Sequence, residues 1–311
     1  MQLKKLDAND YNTYQQPLLC RFIGSRFQDG TDQCQWFAEL EDSSGRAWLE
    51  MADPAYPPTR FSKNTPVIVN LLPAFDRDEV DLRIWSLEAA HVKTASQALS
   101  LTPHSVVPVI ALPALGALQR FADELGADPL GQCLARMLLD PAISSDFFTA
   151  RGSSNHHHAY AGGLLVHTAE VMQIVGELAR FKLSHQPRRI WQCQMAAFIH
   201  DLGKVQTHGS KNPHGLSLLR HEFVSAQLVS PHLAWLALRD PESANELSAS
   251  LQHGGLPMTQ RARSWSVVAE LVALADQCSA MHLGEGERRK LYSRPAANDG
   301  AGFQNEPECG E

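Results

Sequence analysis

Side chains that can bind a metal ion recur along the second half of this sequence, in apolar surroundings. They are His167 in "GGLLVHTAEV", His200 and Asp201 in "AAFIHDLGK", and Asp276 in "LVALADQ". Residues 272–275 offer no polar stripe to which Asp276 could belong, and a carboxylate in such a helix is usually paired or bound to a cation. Each of these residues alone would be interpreted as an ordinary surface or core residue. Together they form a set of nitrogen and oxygen donors suited to a divalent metal ion.

The elements that position these side chains are predicted to be helices. From about residue 107 onward, leucine and alanine recur at spacings of three to four residues, as in "LLVHTAEVMQIVGELARF" and "IWQCQMAAFIHD", and β-branched residues are few. His167 then lies early in a helix that begins after Gly162 and Gly163. His200 and Asp201 lie at the C-terminal end of another helix.

Two further histidines occur in related settings. "LLRHEF" places His221 at the start of a helix, and "SLQHGGLP" places His253 just before a glycine turn. The chain contains 14 histidines, and more than half of them fall between His156 and His221. This concentration is the unusual feature of the composition.

Residues 17–92 show the alternation of β-strands. "CQWFAELEDSSGRAWLEM" contains two alternating runs separated by the turn formers "DSSG", which predicts a hairpin. "TPVIVNLLPAF" and "DEVDLRIWSLEAA" predict two more strands around a charged turn at Asp76, Arg77 and Asp78. About five antiparallel strands of this length could close into a small OB-like barrel.

The predicted fold class is therefore α+β, with a small OB-like β-barrel followed by an all-α domain. We assign residues 1–92 to the barrel, a candidate nucleic-acid-binding domain, and residues 93–108 to a linker. Residues 109–291 form the helical domain. Residues 292–311, which are small, polar and proline-bearing, are predicted to be a disordered tail.

The bulk composition limits the classes of function. The chain has 311 residues, enough for two domains, and its net charge of −7 excludes a globally basic nucleic-acid binder, although not a local binding groove. No apolar run has the length needed to cross a bilayer, and the first residues lack the apolar segment of a signal peptide. The six scattered cysteines include no CxxC pair, which argues against a zinc ribbon or a disulfide scaffold and favours a cytoplasmic location.

His167, the adjacent His200 and Asp201, and Asp276 resemble the H…HD…D signature of the HD-domain metal-dependent phosphohydrolases, an all-helical superfamily. The resemblance covers about residues 146–283, and "HDLGK" is its most specific element. It implies that these four side chains bind the metal ion directly. An apolar helix would then end in His-Asp because both side chains turn onto one ion.

The same resemblance suggests roles for three more residues. Superfamily members with two metal ions insert extra histidines between the HD pair and the last aspartate, and His221 and His253 stand where such ligands would lie. Alternatively, both histidines could lie behind the metal ligands or contact the substrate phosphate. Lys204 resembles the superfamily lysine that faces substrate phosphate; the alternative is a lysine at a helix C-terminus, which the helix dipole would favour.

The segment "FFTARGSSNHHHAYAGGLLVHTAEV" resembles YhaM-like 3′–5′ exoribonucleases, which carry paired histidines and a Gly-Leu before the first ligand histidine. The paired histidines would be His157 and His158. These enzymes also carry an N-terminal OB-fold that binds nucleic acid, in agreement with the β pattern of residues 17–92. The sequence departs from the family at "QHGG", where Gly254 directly follows His253 in place of a second histidine.

"HHHAYAGGLLVHTAEV" is also similar to the TraI-like HD domain of conjugative relaxases, which have three histidines before the Gly-Leu. The run from His156 to His158 fits that pattern as well. This second resemblance implies a role in DNA processing. Those proteins are usually longer, and no OB-like leader is expected in them.

Aromatic residues of the predicted barrel have two interpretations. Trp36, Phe37, Trp48 and Trp85 could stack on unpaired bases, at roughly 1–3 kcal/mol each, or could fill the barrel core. Trp36 alternates in phase with apolar residues and is predicted to be core, whereas Phe37 alternates in phase with glutamates and is the better candidate for a base contact. The acidic strands disfavour phosphate binding, so the domain could instead be an interaction module.

These resemblances lead us to expect a metal-dependent phosphodiesterase: a 3′–5′ exonuclease on single-stranded nucleic acid, RNA rather than DNA, that releases nucleoside 5′-monophosphates. One or two divalent ions, Mn²⁺, Mg²⁺ or Fe, would activate water. The expected catalytic residues are Asp201, Lys204, His157 and His158; the last three would stabilise negative charge on the phosphoryl oxygens.

Three alternatives remain at this point. They are a phosphohydrolase that acts on small nucleotides, a TraI-like DNA-processing protein, and a non-catalytic nucleic-acid-binding module that keeps the metal for folding. A homo-oligomer is compatible with the resemblance, and no membrane partner is expected.

Overall fold

The computed structural model describes residues 2–7, 15–29, 34–76, 79–154, 157–184, 186–209, 220–255 and 266–281. A β-sheet occupies the N-terminal part of the chain and helices follow it, in the predicted order. The predicted tail, His156, and the turn residues Arg77 and Asp78 lie outside the described residues. No helix in the described parts of the chain has the length and hydropathy to cross a bilayer.

Five strands form one antiparallel sheet in the spatial order β3-β2-β1-β4-β5. They are β1 (Leu18–Asp29), β2 (Cys34–Asp42), β3 (Gly45–Glu50), β4 (Pro66–Asp76) and β5 (Glu79–Ala89). The predicted hairpin is confirmed, since β2 and β3 pair across the turn at residues 43 and 44. Asp42 closes this turn, because its Oδ1 accepts a hydrogen bond from the backbone N–H of Ser44 at 2.8 Å.

The two faces of the hairpin follow its alternating sequence. Ala38 and Leu40 are fully buried, and Trp36 packs against the same core. Phe37 lies on the opposite face, where the Arg26 guanidinium stands 4.9 Å from the centre of its ring. The assignment of Trp36 to the core is therefore confirmed, because successive side chains of a strand alternate between faces.

Among the described residues, the edge strands of the sheet meet at one bridge. Met51, just after β3, forms a parallel bridge with Ile84 of β5. The Ala52 N–H donates to the Ile84 carbonyl at 2.9 Å. The five-stranded antiparallel sheet is confirmed, whereas its closure into an OB-like barrel stays a prediction.

Part of the predicted linker, residues 93–108, is helical. Helix α1 (Ala95–Ser100) begins with a capping box, in which Thr94 and Gln97 exchange side-chain-to-backbone hydrogen bonds. Ala98 and Leu99 are buried in the helical core. The capping box and this apolar face explain why part of the predicted linker is helical. The boundaries at residues 92 and 109 stay predictions.

The remaining helices of the described chain form one cluster with a continuous hydrophobic core. Phe147 and Phe198, both fully buried, lie in it with ring centres 5.3 Å apart. The helices are α2 (Leu112–Leu125), α3 (Pro129–Leu139), α4 (Pro141–Phe147), α5 (Gly163–Lys182), α6 (Pro187–Ile199), α7 (Lys204–Thr207), α8 (His221–Ala237), α9 (Pro241–Gly255) and α10 (Val267–Ala280).

Candidate metal centre

Helix α5 places His167 in the interior. Gly162 precedes the helix in a left-handed conformation, with a φ of 80°, and Gly163 begins it. His167 is one turn into the helix and only 2% exposed. Its Nδ1 lies 3.2 Å from the hydroxyl of Ser279 on α10. The predicted position of His167 is confirmed.

Helix α6 delivers His200 and Asp201 because it ends there. The chain turns through residues 200–203 and enters the short helix α7. Ser225 of α8 fixes this turn, since its hydroxyl accepts from the Gly203 N–H at 2.7 Å and donates to the His200 carbonyl at 3.0 Å. A Cβ atom on Gly203 would lie 2.0 Å from the carbonyl oxygen of His221, so only glycine fits this close to α8.

The four predicted ligands come together. One ligand atom from each of His167, His200, Asp201 and Asp276 lies within 4.8 Å of the other three. His167 Nε2 is 3.1 Å from Asp201 Oδ2 and 3.3 Å from Asp276 Oδ1. His200 Nε2 is 3.3 Å and 3.7 Å from the same two oxygens. The Asp276 side chain is 45% exposed, so the cluster opens to solvent at α10.

The atoms at the centre of the cluster need a positive charge between them. The Nε2 atoms of His167 and His200 are buried and have no hydrogen-bond partner of acceptable geometry among the described residues. His200 Nδ1 donates to the Ala197 carbonyl at 2.6 Å, so a neutral His200 ring presents a lone pair at Nε2. A lone pair and two carboxylates repel one another unless a cation lies between them. The donor set therefore fits a divalent metal ion.

Without an ion, the central positive charge is a proton on His200. Burial lowers the pKa of this imidazole, but the carboxylates of Asp201 and Asp276 outweigh burial and raise the pKa from 6.5 to about 10. Burial raises the pKa of Asp201, yet His200 and Lys204 hold it well below its usual value. The pKa of Asp276 is also lowered, since the protonated His200 outweighs its burial.

Metal binding is therefore expected to release a proton. The ion takes the neutral form of His200, which is protonated at pH 7 in the ion-free protein because its pKa is raised to about 10. The affinity for the first ion should rise by about tenfold per pH unit from pH 7 upward and level off above the raised pKa. Calorimetry at pH 7 in two buffers of different ionisation enthalpy should give one proton released per ion. Equal heats in the two buffers would contradict this prediction.

Lys204 lies beside the cluster at the start of α7. Its Nζ is 2.5 Å from Asp201 Oδ2, and its side chain is 13% exposed. The ammonium group therefore pairs with a predicted ligand. Its contact with a substrate phosphate stays a prediction.

His221 and His253 lie on the other side of Asp201. His221 begins α8, as predicted, and its Nε2 is 3.0 Å from Asp201 Oδ1. Both histidines line a cavity of about 120 Å³ that adjoins the cluster, together with Glu222. The glycine turn predicted directly after His253 is wrong, because α9 continues through Gly255.

His157 and His158 differ in their surroundings. The His157 ring lies with its centre 6.0 Å from that of His167. His158 has both ring nitrogens engaged, with Nδ1 3.0 Å from the Tyr160 hydroxyl and Nε2 3.0 Å from Glu170 Oε2. Their predicted contacts with substrate stay predictions, and in this structure His158 has no nitrogen left for one.

Sequence reasoning missed two polar residues behind the cluster. Ser279 contacts His167, and Glu170 accepts a hydrogen bond from Ser279 at 3.1 Å. Glu170 follows His167 by three residues, and Ser279 follows Asp276 by three. This spacing places each on the same helix face as a ligand and could have identified them. Ser225, which fixes the turn, has no comparable signal in the sequence.

Residues 164–281 match the protein-family model described as HD domain. This range contains all four side chains of the cluster, so the HD-domain prediction is confirmed for this part of the chain. Comparisons with curated proteins and with solved structures found no match.

Proposed function

We propose that this HD-domain metal-dependent phosphohydrolase is a 3′–5′ exonuclease that acts on single-stranded nucleic acid, with RNA preferred to DNA. Water adds to the phosphorus of the terminal phosphodiester, and the bond from phosphorus to the 3′ oxygen of the preceding nucleotide breaks. The proton from water goes to that 3′ oxygen. The products are a nucleoside 5′-monophosphate and a chain one nucleotide shorter.

The observation that carries the hydrolytic proposal is that both carboxylate oxygens of Asp201 contact nitrogen-bearing side chains, on two different sides. Its Oδ2 meets His167, His200 and Lys204, whereas its Oδ1 meets His221. A carboxylate with contacts on both oxygens can bridge two metal ions. We therefore extend the proposal to a second ion on the side of His221 and His253, in the adjoining cavity.

Bound metal would lower the pKa of water and supply positive charge for the phosphoryl oxygens. His167, His200, Asp201 and Asp276 would hold that ion. Lys204 is fixed by Asp201 at the edge of the cluster, where its charge can act on the developing negative charge without reorganisation.

The size of the cavity favours a polymer end over a buried small nucleotide. Its volume of about 120 Å³ is below the roughly 300–1,000 Å³ that enclose a typical small-molecule ligand. A phosphate group would enter it, while the sugar, the base and the rest of the chain would remain outside.

A patch of aromatic and basic side chains on the sheet supports nucleic acid as the substrate. The Arg26 guanidinium lies over the rings of Phe37 and Trp48, at 4.9 Å and 4.8 Å from their centres. Trp48 is 41% exposed. Trp85, on β5 at the other edge of the sheet, is 68% exposed. Exposed rings beside an arginine can stack on unpaired bases. The preference for RNA, the OB-like barrel and the YhaM-like relationship depend on the sequence resemblance.

The test is degradation of single-stranded RNA and DNA labelled at the 3′ or the 5′ end, in the presence of Mn²⁺. We expect 3′ label to appear at once as a nucleoside 5′-monophosphate and 5′-labelled chains to shorten in steps. Preference for DNA would favour the TraI-like alternative. Hydrolysis of free nucleotides with both polymers intact would favour the small-nucleotide alternative. Bound metal without turnover of any phosphoester would identify a non-catalytic module.

Two matched variants separate substrate binding from chemistry. Trp48→Ala should raise KM for a long oligonucleotide by about 5- to 150-fold, since one stacked base contributes roughly 1–3 kcal/mol. The hydrolysis of a dinucleotide should stay unchanged. Phe181→Ala, which removes a ring that is 90% exposed on α5, should change neither. Equal effects of the two substitutions would contradict the proposed stacking patch.

A further inference from the structure

A relay of hydrogen bonds leads from His167 away from the metal cluster. His167 Nδ1 lies 3.2 Å from Ser279 Oγ, and Ser279 Oγ lies 3.1 Å from Glu170 Oε2. The same Glu170 oxygen lies 3.0 Å from His158 Nε2, and His158 Nδ1 lies 3.0 Å from the Tyr160 hydroxyl. The relay connects the loop before α5, helix α5 and helix α10.

The chemistry of Glu170 determines the position of every proton in this relay. An ionised carboxylate can only accept hydrogen bonds, so the Ser279 hydroxyl donates its proton to Glu170. The Ser279 oxygen is then left to accept from the N–H at His167 Nδ1. A neutral His167 ring with its proton on Nδ1 presents a lone pair at Nε2. That atom faces Asp201 and Asp276.

The loop before α5 holds the other end of the relay in place. His158 adopts a left-handed backbone conformation with a φ of 60°, which is uncommon for residues other than glycine. Its carbonyl accepts from the Gly152 N–H at 2.8 Å. A Cβ on Gly163 would lie 2.0 Å from the same carbonyl oxygen. This close packing keeps His158, which is 7% exposed, against Glu170.

We propose that Glu170 is a positioning residue, which acts through Ser279 to keep the His167 proton on Nδ1 and the Nε2 lone pair directed at the metal ion. His158, anchored by Tyr160 and its own backbone, holds the Glu170 carboxylate toward Ser279. This role differs from the substrate contact predicted for His158. The proposal depends on the metal centre and is independent of which phosphoester the protein cleaves.

Metal affinity of a Ser279→Ala variant tests the proposal directly. Alanine removes the acceptor of the His167 N–H, so we expect Mg²⁺ or Mn²⁺ to bind about 10–100-fold more weakly. Ser243→Ala is the matched control: it removes a buried hydroxyl that accepts from Gln192 Nε2 at 2.9 Å and, within the described residues, makes no hydrogen bond to any of the four predicted ligands. The control should bind metal with wild-type affinity.

Two further measurements distinguish positioning from a general loss of structure. ¹⁵N NMR of the His167 ring should show one tautomer in the wild type, with Nδ1 protonated, and a mixture in Ser279→Ala. Glu170→Gln should keep most of the affinity, because an amide oxygen can still accept from Ser279 and His158, whereas Glu170→Leu should lose it. Wild-type affinity and a single His167 tautomer in Ser279→Ala would overturn the proposal, whatever the outcome of the nuclease assays.

Discussion

Replacement of Asp201 by asparagine is expected to abolish hydrolysis and metal binding together. Asp201 Oδ2 contacts both ligand histidines and Lys204, and its Oδ1 contacts His221. A metal ion contributes several kcal/mol of transition-state stabilisation, and about 4 kcal/mol corresponds to roughly a thousandfold in rate. We expect at least this loss in kcat/KM, with bound metal measured by elemental analysis falling in parallel.

A partly exposed carboxylate elsewhere among the helices provides the control. Asp128 pairs with Arg188 at 2.8 Å and caps helix α3. Asparagine is also a good N-cap, so Asp128→Asn should change stability by less than about 1 kcal/mol and leave metal binding intact. If Asp201→Asn retained metal and activity, Asp201 would have no essential role in the site. Equal losses in both variants would indicate a folding defect.

Replacement of Gly203 by alanine is expected to damage the site without changing any ligand. The backbone conformation at Gly203, with φ −58° and ψ −20°, suits alanine. The difficulty is steric, because the new methyl would lie 2.0 Å from the His221 carbonyl oxygen and 2.6 Å from the Ser225 nitrogen. Both contacts are backbone atoms of α8, so the turn or the helix must shift. We expect a loss of about 3 kcal/mol in the free energy of unfolding and weaker metal binding.

Gly116→Ala is the matched substitution for this experiment. Gly116 lies within α2, and a Cβ there would make only an ordinary contact, 3.7 Å from the Arg120 side chain. Alanine should stabilise that helix by about 0.5–1 kcal/mol. Urea denaturation of the two variants, each with and without Mn²⁺, measures the difference. Similar behaviour of the two variants would mean that the turn and α8 can separate at little cost.

The cluster was predictable because its four residues lie in apolar helical runs and together match the H…HD…D signature. Each residue alone would be ordinary, and the adjacent pair at His200 and Asp201 marks a helix end. The capping box at Thr94 and Gln97 is a local signal, so the helix within the predicted linker could have been identified from the sequence. The hairpin around residues 43 and 44 was predicted from the same kind of information.

Other features depend on contacts between distant parts of the chain. Ser225 fixes the turn after His200 only because α8 packs against that turn, and no pattern in either segment specifies the approach. The bridge between Met51 and Ile84 depends on the twist and register of the whole sheet, so strand patterns alone do not determine closure. The substrate contact of His158 is predicted from the family resemblance alone, whereas its contact with Glu170 becomes visible only when α5 and the preceding loop are placed together.

The four predicted ligands come from separate segments of the chain, which has a consequence for folding. His167 comes from α5, His200 and Asp201 from the turn after α6, and Asp276 from α10. An unfolded chain does not hold these groups together, so an ion at this cluster would bind the native state and would act as a reversible cross-link. Free metal at a hundred times its Kd would add about 2.7 kcal/mol to the free energy of unfolding. Resistance of this fold to heat and to proteases should therefore follow the free metal concentration around it.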